Sequence, residues 1–97
     1  MPARLRTSAS LVQHGVKMIA GSDAGWGPSP FGDFASELEA MVTVGMSPTD
    51  VLLAATRNAA QALGFGHVIG TLEAGKKAEV LVVDGDPTRD ICVFRNI

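Results

Sequence analysis

Apolar positions come in three kinds of pattern along the chain. Val16-Lys17-Met18-Ile19-Ala20-Gly21-Ser22 is an apolar run that stops at a small residue and a hydroxyl, with Asp23 next. A short aliphatic run bounded by turn residues predicts a buried strand over 16–22. Its apolar residues alternate to both sides (Val16, Met18 and Ala20 against Ile19), which suits a sheet covered on both faces. Phe34, Leu38, Met41 and Val42 follow the i, i+4, i+7, i+8 spacing of one helical stripe, predicting a helix over about 33–44. A third stripe (Val51, Leu52, Ala55, Ala59, Ala62, Leu63) predicts a helix over about 48–63, with a core-facing side rich in alanine that lets a neighbour approach closely.

Punctuation agrees with these boundaries. Asp33 is placed to cap the first stripe, and Gly45 ends it. Ser47-Pro48-Thr49-Asp50 is a strong helix start: the serine caps, proline takes the first position and Asp50 closes the box. Residues 3–13 read as the end of a further helix closed by His14-Gly15, and Gly64 ends the alanine-rich one. Beyond Gly64 the period changes. Short strands are expected at 68–72, 79–84 and 91–94, separated by turns at Glu73-Ala74-Gly75-Lys76 and Asp84-Gly85-Asp86-Pro87. The expected division is therefore 1–64, an α/β portion, and 65–97, a β portion.

Between strand and helix lies Ala24-Gly25-Trp26-Gly27-Pro28-Ser29-Pro30-Phe31-Gly32, with three glycines and two prolines in nine residues. Such a stretch is a loop. Its rings, Trp26 and Phe31, either pin it to the body of the protein or wall a substrate pocket beside Asp23. Asp23 itself is either a turn-former or cap, or a reactive carboxylate at a strand's carboxyl end, where function gathers in helix-flanked sheets.

Composition narrows the partners. At 97 residues the chain has room for one small domain. Eight scattered Lys and Arg within a net charge of −2 offer no basic stripe, so nucleic acid is not an expected partner. The longest apolar runs, such as Val80-Leu81-Val82-Val83, are too short to span a membrane. Cys92 is the only cysteine, which excludes an internal disulfide framework and suits a reducing cytosol.

Complete sites are hard to assemble from these residues. There is no His-x-His and no His-Glu-x-x-His, and the only histidines are His14 and His67. An extended strand would hold His14 roughly 30 Å from Asp23. Ser22 lacks the glycines of a nucleophile elbow, and Gly25-x-Gly27 has neither the third glycine nor the Lys-Ser/Thr of a phosphate loop. Glu37 and Glu39 point to different sides of their helix and read as solvated surface, while Asn58 reads as a capping or loop-tying group.

The ordered set Gly21-Ser22-Asp23-Ala24-Gly25, Met46-Ser47-Pro48, Ala54-Ala55-Thr56-Arg57-Asn58-Ala59-Ala60, Leu63-Gly64, Gly70-Thr71-Leu72, Gly75-Lys76-Lys77-Ala78-Glu79 and Asp84-Gly85-Asp86-Pro87 closely resembles the C-terminal end of amidohydrolase-superfamily enzymes, nearest to the imidazolonepropionase and prolidase-like branch. The resemblance spans about Gly15 to Ile91, nearly all of this chain but only the last quarter or so of such an enzyme. It implies the last strand (16–22) and terminal helices of a (β/α)₈ barrel, followed by strands of a small composite β-sandwich. It also implies that Asp23 is both a metal ligand and the proton shuttle in hydrolysis of an amide-type C–N bond. In that family a divalent metal, zinc foremost, is the cofactor, and the substrate is a small amide or dipeptide-like molecule.

Ser22 stands where threonine is usual and Glu79 where aspartate is usual. The family's His-x-His, bridging lysine and later histidines have no counterpart, so no metal and no hydrolysis are expected from this chain alone. Two roles follow as expectations: a segment of a truncated or split enzyme that needs a complementing fragment, or a non-catalytic module for binding or oligomerisation.

Overall fold

The computed structural model describes residues 1–96; Ile97, the last residue of the expected β portion, lies outside them. The described residues form four α-helices, α1 (Ala3–Gln13), α2 (Phe34–Thr43), α3 (Pro48–Ala55) and α4 (Arg57–Ala62), followed by a 3₁₀ helix at Ile91–Arg95. Among the described residues no helix is long and apolar enough to cross a membrane.

Caps do what their residue types promise. The Asp33 carboxylate accepts from the Ser36 N–H at 3.3 Å and opens α2. Ser47 Oγ accepts from the Asp50 N–H at 3.1 Å, with Pro48 at the first helical position of α3. Gly15, Gly45 and Gly64 stand at positive φ just past α1, α2 and α4. In each case the next residue bonds back five positions, as Val16 N–H does to Leu11 O at 3.1 Å, so the last helical carbonyls are satisfied.

The core forms where α2, α3 and the 3₁₀ helix meet. Leu38 and Met41 of α2, Val51 and Ala54 of α3, and Ile91 are buried together, with Met18, Ala20, Val42, Met46, Ala55 and Phe94 packed around them. Val51 and Ala54 are fully buried. In contrast, α1 buries no residue.

The expected helix over 48–63 is broken at Thr56. Its hydroxyl donates to the Leu52 carbonyl at 2.7 Å, and its backbone (φ −124°, ψ −93°) leaves the helical region. Such back-bonding by threonine bends helices. Gly70 sits in the notch: a Cβ there would lie 2.6 Å from the Ala60 Cβ and 3.3 Å from the Thr56 carbonyl oxygen. Its φ of +99° is also glycine territory.

The largest departure concerns β structure. The runs expected as strands at 16–22, 68–72 and 79–84 form no ladder among the described residues, where the one isolated bridge joins Trp26 and Ser29. The run expected at 91–94 is helical instead, capped by the Asp90 carboxylate, which accepts from the Cys92 N–H at 2.9 Å. A strand exists only by pairing its N–H and C=O groups with a neighbour. Apolar alternation reports the wish to be covered, not the presence of the partner. Val80, Leu81 and Val82 accordingly stand exposed, at 57, 56 and 79%.

In place of strand pairing, residues 65–77 are gathered by a lysine. Lys76 Nζ donates to the Gly66 carbonyl and to Thr71 Oγ1, both at 2.7 Å, and pairs with Glu73 at 2.8 Å. Thr71 in turn donates to Glu73, whose carboxyl is held below its usual range first by Lys76 and then by that hydroxyl.

Candidate functional site

Residues 16–22 lie against the inner face of α3. The Ala20 N–H donates to the Ala54 carbonyl at 3.2 Å, and Met18 and Ala20 pack on the core. Val16 and Ile19 remain 47 and 45% exposed. The covering expected on both faces is thus incomplete: on the side of Val16, Met18 and Ala20 only the last two pack on the core, and Ile19 on the other side is half exposed.

Asp23 follows this segment, exposed, with a φ of +50°. Among the described residues it is the one non-glycine residue the backbone holds in the left-handed region, a conformation that aspartate tolerates better than most residues. The loop that it opens is closed on itself. Gly25 N–H donates to the Ser29 carbonyl at 2.8 Å and Ser29 N–H to the Trp26 carbonyl at 3.1 Å, while the Phe31 ring covers Gly25. Trp26 and Phe31 nevertheless face outward, 69 and 84% exposed. Phe31 therefore covers its own loop, and neither ring is buried in the body of the protein.

Two grooves lie elsewhere. One, of about 420 Å³, runs between α1 and α2 over Leu5, Met18, Ile19, Met41 and Val44. The other, of about 530 Å³, is lined by Val82, Val83, Asp84 and Asn96.

The residues present do not by themselves fit a metal ion. A protein metal centre draws on three or four convergent donors. Among the described residues no three His, Cys, Asp or Glu side chains are grouped to supply them. His14 is turned back on its own helix, its Nδ1 donating to the Ser10 carbonyl at 2.7 Å. Cys92 is exposed, and partial desolvation, together with Asp90 and Glu39, holds its thiol above the usual range. It is a thiol and not a nucleophilic thiolate at neutral pH.

One polar constellation has no forerunner in the sequence patterns. Arg95 forks onto Glu39, with Nε to Oε1 at 2.6 Å and Nη2 to Oε2 at 3.0 Å. It also reaches Ser36 Oγ at 3.0 Å and Asp33 Oδ1 at 3.5 Å. Glu39, expected as solvated surface, is instead tied to a segment 56 residues away. Its carboxyl is held below the usual range by Arg95, and that of Asp33 by the Ser36 hydroxyl and then Arg95. No local pattern announces a contact of that span. Asn58, expected as a capping or loop-tying group, accepts instead from its neighbour Arg57, Nε to Oδ1 at 3.4 Å, a contact within α4 that neither caps the helix nor reaches a loop.

The amidohydrolase family pattern matches residues 5–96, nearly the whole of the chain, and the chain belongs to the amidohydrolase family. Among its relatives, imidazolonepropionase of Geobacillus kaustophilus (strain HTA426) is 37% identical over 73 residues, 74% of this chain and 17% of that protein. Imidazolonepropionase of Aromatoleum aromaticum (strain DSM 19018 / LMG 30748 / EbN1) is 38% identical over 89 residues, 91% of this chain and 22% of that protein. In three dimensions the chain matches a Xaa-Pro dipeptidase, solved with methionine bound in its active site, with a TM-score of 0.87 and 33% identity. That match covers 95% of this chain and 22% of the dipeptidase. The chain thus spans about a fifth of the length of the proteins it resembles.

Proposed function

We propose that this chain is the C-terminal segment of a metal-dependent amidohydrolase that hydrolyses an amide-type C–N bond in a small amide or dipeptide-like substrate. The observation that carries the reading is the likeness to a Xaa-Pro dipeptidase over 95% of this chain at 33% identity. Asp23 is the carboxylate the segment contributes. A divalent ion, zinc foremost, would take it as one donor, and the remaining donors have to come from a complementing portion of the enzyme. Trp26 and Phe31, on the loop that Asp23 opens, would wall the substrate site once that portion covers them.

Hydrolysis adds water across the C–N bond, so one proton must leave the attacking water and one must reach the departing nitrogen. A single carboxylate beside both atoms can take the first and deliver it as the second. Among the described residues Asp23, Trp26 and Phe31 are exposed, so the cover over a substrate there would have to come from the complementing portion.

The test is a graft in which this chain replaces the matching segment of the Xaa-Pro dipeptidase. A folded graft that still hydrolyses a Xaa-Pro dipeptide is the expected result. A folded graft that has lost hydrolysis while the unmodified dipeptidase retains it would argue instead for a non-catalytic module.

A further inference from the structure

The aromatic loop is tethered at both ends, and the two tethers differ in kind. Its entry is set by apolar packing of Met18 and Ala20 and by the Ala20–Ala54 backbone bond. Its exit is Asp33, the capping residue of α2. Between them the loop is closed by its own backbone bonds, with Gly32 (φ +88°) joining it to Asp33.

Asp33 does not hold its position alone. The Ser36 hydroxyl donates to Asp33 Oδ2 at 2.6 Å while accepting from Arg95 Nη2 at 3.0 Å, and Arg95 Nη1 lies 3.5 Å from Asp33 Oδ1. The two-pronged contact with Glu39 fixes the plane of the guanidinium, which aims its remaining N–H groups at the start of α2. The backbone under Arg95 is fixed in turn by burial of Ile91 and Val93.

We infer that Arg95 is a positioning residue for the loop carrying Trp26 and Phe31, acting through Asp33 and Ser36. The 3₁₀ segment at 91–95 is then the element that sets how the loop is presented. That the presented loop faces substrate rests on the hydrolase reading; the tether itself does not.

Trp26 is the chain's only tryptophan, so its fluorescence reports on this loop and nothing else. Loop motions fall in the nanosecond range that time-resolved anisotropy follows. In the full chain, Arg95→Ala is expected to lower the amplitude of the slow component of the Trp26 anisotropy decay in favour of a fast one while helical circular dichroism is kept. Arg95→Lys, which keeps charge without the fork, should restore part of it. Arg89→Ala, which removes the pair with Asp86 instead (3.7 Å), should leave the decay unchanged.

Unchanged Trp26 anisotropy in a folded Arg95→Ala chain overturns the inference, as does an equal loss in Arg89→Ala. If Arg95→Ala does not fold, Glu39→Gln decides: it keeps the shape of the partner and removes its charge, so a partial loss supports the tether and no loss overturns it. None of these readouts involves catalysis, so an inactive graft would have no bearing on the tether.

Discussion

The Ala20 N–H donates to the Ala54 carbonyl across 3.2 Å, and this is how the segment that ends in Asp23 meets helix α3. The approach is possible because Ala54 presents only a methyl group and is fully buried. A larger side chain there must push the two backbones apart. Ala54→Leu is expected to destabilise the chain by about 1–3 kcal/mol, the usual cost of overpacking a filled site. Urea unfolding followed by circular dichroism measures it, and a stability equal to the parent's would show the segment to be loosely held.

The start of α3 gives a second test. Ser47 Oγ accepts from the Asp50 N–H at 3.1 Å and donates to the Asp50 carboxylate at 2.8 Å. Ser47→Ala removes both contacts and should cost about 1 kcal/mol, while Ser47→Gly should cost only a few tenths. The same unfolding curves report it, and the order of the two variants is the decisive feature.

Legibility in the sequence divides along one physical line. Asp33, Ser47, Pro48 and the glycines after α1, α2 and α4 announced their roles because capping is settled within a few residues. The alanine-rich stripe read over 48–63 holds only at its start: Val51 is buried, whereas Ala62 and Leu63 are exposed, and the alanines the structure buries, Ala54 and Ala60, lie off that stripe. The break at Thr56 was not announced, since a hydroxyl turning back on the Leu52 carbonyl competes with a stripe that runs straight through it. Val16–Ser22 and Glu79–Asp84 carry strand patterns, yet pairing depends on a partner that no local pattern contains. Glu39 and Arg95, 56 residues apart, show the same limit for charges. At the candidate site, Asp23 and its loop were visible as types and positions, whereas their exposure was not.

Acid should weaken the attachment of the 3₁₀ segment. Glu39 and Asp33 both have carboxyl pKa values lowered in the folded chain, by Arg95 and by the Ser36 hydroxyl respectively as leading causes. A depressed carboxylate favours the folded state fully above its unfolded pKa, roughly pH 4, and that contribution fades as pH drops through the folded value. Thermal melting from pH 6 down to about pH 3 should therefore show a falling midpoint. The fall should be shallower in Arg95→Ala, because the partner that lowers Glu39 is gone; identical profiles would remove Arg95 as the cause.

Asp23→Asn in the dipeptidase graft bears most directly on whether this chain supplies a reactive carboxylate. Asparagine keeps the size of the side chain and tolerates the same left-handed backbone, so the loop is preserved while the proton acceptor is lost. The expected result is a fall in kcat for a Xaa-Pro dipeptide of at least about 100-fold with the graft still folded, as removal of a general acid–base group produces. A folded Asp23→Asn graft that turns over as fast as its parent would contradict the assignment of Asp23.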